Sequence, residues 1–152
     1  MIEADIERNK KENGVLLAIG GSNVGLSLFI KDDRLVFDYN IFYDHKILES
    51  EINVPEGAVK VGVYLEREDP GGGATLLIDG EKAGEMELPF VIRILGSTGM
   101  DIGRDSLSPV SEEYNAPFPF EGVINQVVVH LPERGNTFEE SFLAMRSELG
   151  ME

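Results

Sequence analysis

Short apolar runs with a period of two dominate this chain. Over residues 2–7, Ile2, Ala4 and Ile6 fall on one face and Glu3, Asp5 and Glu7 on the other, the pattern of a half-buried strand. Val59, Val61, Val63 and Leu65 alternate in the same way with Lys60, Gly62, Tyr64 and Glu66. Between these lie denser apolar runs at residues 15–19, 26–30 and 35–43, and a further strand pattern at 46–54. Residues 74–78 and 82–88 flank an Asp79-Gly80 turn and predict a hairpin. Lys31-Asp32-Asp33-Arg34 predicts another hairpin tip, and Gly71-Gly72-Gly73 reads as a loop. A short run at 90–95 and a long one at 123–131 complete the set. Strands at this spacing, with no helical pattern between them, predict an all-β sandwich of two antiparallel sheets and not βαβ units.

Two segments break the pattern. Residues 101–122 are irregular and rich in Pro and Gly, and a loop of that length in a compact domain is usually functional or heavily packed. Residues 137–150 read as a short helix. Thr137 and Glu140 fit a capping box, Phe138, Phe142, Met145 and Leu149 fall on one face, and Gly150 ends it. The predicted organisation is a sandwich over residues 1–135 and an amphipathic helix over 136–152, packed on the sandwich or on a partner.

Composition narrows the function. The 152 residues suit one domain with its own core. Acids outnumber bases 28 to 13, a net charge of −15, so a nucleic-acid or anionic-membrane partner is not expected. No apolar run is long enough to cross a bilayer. Residues 1–14 are charged and lack a signal-peptide core, which reads as a soluble protein, cytoplasmic if the chain is complete. With no Cys there is no disulfide, thiolate metal site or cysteine nucleophile, and with no Trp the commonest sugar-stacking ring is missing.

Specific residues carry a family resemblance. They are the run Gly14-Val15-Leu16-Leu17-Ala18 before a Gly-Gly turn, Leu28-Phe29-Ile30-Lys31-Asp32, Tyr39-Asn40, Gly71-Gly72-Gly73 and Leu76-Leu77-Ile78-Asp79-Gly80. Sharper are Asp101-Ile102-Gly103-Arg104-Asp105, Ser108-Pro109-Val110-Ser111, Tyr114 and Pro117-Phe118-Pro119-Phe120. Over about residues 14–131 the chain resembles the C-terminal domain appended to a group of bacterial arylsulfatases. The resemblance implies a concanavalin A-like jelly roll and a non-catalytic role, packing beside a sulfatase catalytic domain or self-associating. The C/S-x-P-x-R motif of the sulfatase centre is absent, so no catalytic residue is assigned.

Four constellations are candidates for chemistry. Asp101 and Asp105 around Gly103 either hold a hard cation such as calcium or brace the loop by accepting N–H groups. No other cofactor is implied. Glu3, Asp5 and Glu7 match the E-x-D-x-E pattern of sandwich glycosidases, but on a first and possible edge strand the acids equally serve as a solvated guard against pairing. His45, in a turn, and His130, at a strand end, read as surface or structural. Tyr39, Tyr43 and Tyr114 are the candidate ligand or interface aromatics, with Phe42, while Phe118 and Phe120 read as a plug between the sheets. The alternative to an accessory domain is a lectin-like, carbohydrate-binding module, with or without calcium. The third reading is a glycosidase using the Glu3 triplet.

Overall fold

The computed structural model describes residues 1–68, 71–91 and 99–130. They form ten strands: β1 (Ile2–Arg8), β2 (Gly14–Gly20), β3 (Val24–Lys31), β4 (Arg34–Ile41), β5 (Asp44–Asn53), β6 (Gly57–Glu68), β7 (Gly71–Ile78), β8 (Glu81–Leu88), β9 (Met100–Ile102) and β10 (Val123–Val129). Two five-stranded sheets result, ordered β10-β1-β6-β7-β8 and β5-β4-β3-β2-β9, and every ladder is antiparallel. The expected two-sheet, all-β architecture is present. The C-terminal helix lies outside the described residues, as does most of the 90–95 run.

Each sheet turns one row of alternating side chains inward. Ile2, Ala4, Ile6, Val59, Val61, Val63, Leu76 and Ile78 of the first sheet meet Leu26, Leu28, Ile30, Leu35, Phe37 and Tyr39 of the second in one continuous core. The second sheet buries its other face under the long loop. Val15, Ala18, Phe29 and Val36 point away from the core and pack under Val110, Tyr114 and Phe118 of the 103–122 loop. Continuous apolar runs, in place of clean alternation, are what strands covered on both faces require.

Three sequence expectations change. Gly71–Gly73 are not a loop: they open β7, all three pair with β6, and Gly72 and Gly73 pair with β8 as well. β1 is not an edge strand, because β10 and β6 flank it. The rings of the long loop are not all between the sheets. Phe120 reaches the main core, whereas Tyr114 and Phe118 lie on the outer face of the second sheet against Phe29, with ring centroids 4.9 and 6.3 Å from it. Register explains the difference, since Phe29 alternates with the inward Leu28 and Ile30 and needs a cover of its own.

Candidate functional site

The β4–β5 connection is a two-residue hairpin, Phe42-Tyr43, closed by the Ile41–Asp44 pair. Both residues have positive φ, 51° and 67°. That conformation suits the tight hairpins of a twisted sheet and is normally filled by Asn, Asp or Gly. Two other two-residue tips, Asp32-Asp33 and Asp79-Gly80, obey the rule. A bulky residue at positive φ is an outlier. Here two aromatics occupy such positions, and they gain little packing in return: Phe42 is 72 % and Tyr43 67 % exposed. Of the aromatics named from sequence, Tyr43 is therefore displayed, while Tyr39 and Tyr114 are buried and closed to a ligand.

Asn40 fixes this tip in place. Fully buried at the end of β4, it donates from Nδ2 to the Ser22 carbonyl (2.9 Å) and the Val110 carbonyl (3.0 Å), and its Oδ1 accepts from the Tyr43 amide (3.0 Å). The Tyr43 amide also reaches the Asn23 carbonyl, and Ser22 N–H donates to Ser108 Oγ at 3.2 Å. One side chain thus ties together the 20–23 turn, the 42–43 tip and the 106–110 loop. Exposed Asn23 and Ser108 border the tip, and the nearby Lys46 ammonium pairs with Asp44 at 3.2 Å. The surface offers two rings, amide and hydroxyl groups, and a charge pair that offsets itself.

The remaining candidates take other roles in the geometry. Asp105 is buried, and its Oδ2 accepts from the Val110 amide (2.8 Å) and the Tyr114 hydroxyl (2.6 Å), which also contacts Ser27 Oγ (2.9 Å). Burial, then the bond to Asp105, holds the Tyr114 phenol far above its usual pKa, so it stays a donor. Asp101 Oδ2 accepts from the Ser106 amide at 2.9 Å. Both carboxylates thus hold the loop, and among the described residues no group of three or more His, Asp or Glu is placed to share a metal ion. Glu3 is buried, Asp5 half-buried and Glu7 exposed, so the triplet presents no common cleft. His45 is not in a turn or solvated; it sits on β5 with Nδ1 2.9–3.0 Å from both oxygens of the buried Asp38. Burial raises the Asp38 carboxyl, and hydrogen bonds from Ser111 and His45 partly offset this. The interface stripe Phe138, Phe142, Met145 and Leu149 lies outside the described residues.

A concavity opens on the outer face of the first sheet. This groove of about 870 Å³ is lined by Glu66, Glu68, Glu85 and Glu87 around Gly71–Gly73. Burial, and then Glu68, push the Glu66 carboxyl above its ordinary value. Four carboxylates make it hostile to anions.

No family model matches the chain, and no curated protein matches it. Solved structures do. The CBM40 carbohydrate-binding module of the Ruminococcus gnavus IT-sialidase superposes with a TM-score of 0.66 at 14 % identity, over 94 % of this chain and 80 % of that one. The same module bound to alpha2,6 sialyllactose gives 0.62 at 14 % identity, over 93 % and 79 %. The native heptameric SAP-like pentraxin of Limulus polyphemus gives 0.53 at 15 % identity, over 83 % and 60 %. The likeness is one of fold. It places this sandwich with jelly-roll neighbours, and none of these three is a sulfatase domain.

Proposed function

We propose that this chain is a non-catalytic carbohydrate-binding module whose contact surface is the Phe42-Tyr43 tip with Asn23, Ser22 and Ser108 around it. The observation that carries this reading is the pair of exposed rings held at left-handed backbone positions. Such strain persists where the surrounding structure enforces it, and it clusters at ligand-contacting sites. Ring faces receive the apolar face of a sugar, while nearby amides and hydroxyls meet its hydroxyl groups. The likeness to a sugar-binding module supports this over an accessory role beside a sulfatase. The ligand class that fits the tip is an uncharged glycan, because Lys46, the cation on the adjoining strand, is already paired with Asp44.

A glycan array with the full chain tests the reading, followed by titration calorimetry on the best hit. Tyr43→Ala and Phe42→Ala should each weaken binding at least tenfold, about 1.4 kcal/mol, with the melting temperature lowered by no more than about 3 °C. An array with no hit, or a hit whose affinity is indifferent to both substitutions, would falsify it.

A further inference from the structure

The outer face of the first sheet carries a buried apolar patch that belongs to neither core cluster. Leu77 sits between the inward Leu76 and Ile78 and therefore points outward, yet it is 1 % exposed. Tyr64, between Val63 and Leu65, is 5 % exposed. Met1 is 7 % exposed, and its Cε lies 3.5 Å from where a Cβ on Gly62 would stand, which places it on the same face. Glu3, the register partner of Gly62, is buried there with Oε2 unpartnered, and burial raises its carboxyl. The long described loop cannot provide the cover, since it packs on the other sheet. The link after β8 begins toward the main core, where Val91 packs.

We propose that the cover is the C-terminal segment, residues 131–152, seating Phe138, Phe142, Met145 and Leu149 against Met1, Tyr64 and Leu77. The chain leaves β10 at the border of the patch: His130 N–H donates to the Met1 carbonyl at 2.7 Å. The dimensions agree. As a helix, the stripe from 138 to 149 would run roughly 17 Å at about 1.5 Å per residue. From β10 across β1 and β6 to β7 is three strand spacings, roughly 14 Å. The inference is independent of the carbohydrate reading.

Double-mutant cycles in the full chain test it. Leu77→Ala is combined in turn with Phe138→Ala, Phe142→Ala, Met145→Ala and Leu149→Ala, and Leu28→Ala in the main core serves as the control. Unfolding is followed in urea, with light scattering on every variant. At least one stripe position should couple to Leu77 by fivefold or more in the unfolding constant, with none coupling to Leu28. Additivity within about twofold at all four positions overturns the proposal. So does a full-length dimer that Phe142→Asp converts to monomer, which would assign the stripe to a second copy.

Discussion

Replacing Phe42-Tyr43 by Asn-Gly puts the tip's strain and its exposure in opposition. Glycine and asparagine visit the left-handed region routinely, whereas other residues pay about 1–2 kcal/mol there, so exchanging both positions should return up to about 2–4 kcal/mol. Against this stands the packing lost with the rings. Only about a third of either residue is covered, and full burial of a large apolar side chain is worth roughly 2 kcal/mol, so both together forfeit about 1.3 kcal/mol. Glycine's extra freedom in the unfolded chain removes a further ~0.5–1 kcal/mol. The hydrogen bond from the residue 43 amide to Asn40 survives, because it uses only backbone at that position. The balance is a gain of about 1 kcal/mol, which for a chain of this size raises the melting temperature by roughly 2–4 °C. Calorimetry on parent and variant reads the shift, and the same samples are titrated with the glycan found on the array.

A stabilised variant that no longer binds is the expected result, since residues kept for contact rather than for folding commonly lower stability. A fall of more than about 2 °C would refute the reasoning: the rings would then hold the tip together, and their exposure would say nothing about a ligand. A variant that is stabilised and still binds would move the contact surface elsewhere while leaving the account of strain intact.

Asn40→Ala takes the Asn40 donor from the Ser22 and Val110 carbonyls, the latter buried, and leaves the Tyr43 amide with the Asn23 carbonyl alone. It should cost about 1–3 kcal/mol, a drop of roughly 4–8 °C for the middle of that range, and weaken glycan binding along with stability. Glu3→Gln tests the buried carboxyl. Because burial raises the folded-state pKa of Glu3 above 4.5, its contribution to stability is fullest below that pH and is lost as pH climbs through the folded value. The glutamine variant should be more stable than the parent at pH 7 and indistinguishable from it at pH 4. Equal urea midpoints at both pH values would show that Glu3 is solvated after all.

Much of the fold was legible because side-chain alternation and turn chemistry agreed. Asp79-Gly80 and the acidic tip after Lys31 announced their hairpins, and β1 and β6 announced their inward faces. The exceptions have local causes. Gly71–Gly73 look like a loop on propensity, yet β6 and β8 present ladder partners on both sides, and pairing outweighs the entropic cost of glycine in a strand. Phe42 and Tyr43 look like strand on propensity, yet the register that pairs Ile41 with Asp44 leaves only those two residues to turn the chain. β9, at three residues, is too short for any period to show.

The candidate site was less legible than the fold for the same reason. A displayed tyrosine and a buried one are identical letters, and what separates Tyr43 from Tyr39 and Tyr114 is register. Tyr39 follows Phe37 by two positions and so shares its inward face, whereas Tyr114 is drawn onto Phe29 by the loop. One signal was available: residues 15–19 in β2, 28–30 in β3 and 35–37 in β4 are consecutive apolar residues, and a strand apolar on both sides needs two covers. The 103–122 loop is the second cover, which is why Asp101 and Asp105 each commit an oxygen to a loop amide, and Asp105 to the Tyr114 hydroxyl as well. A surface already committed to packing cannot also open to a ligand at low cost. The residues free to bind are then those whose conformation serves no packing purpose, and in the described chain that criterion falls on the two rings at the β4–β5 tip.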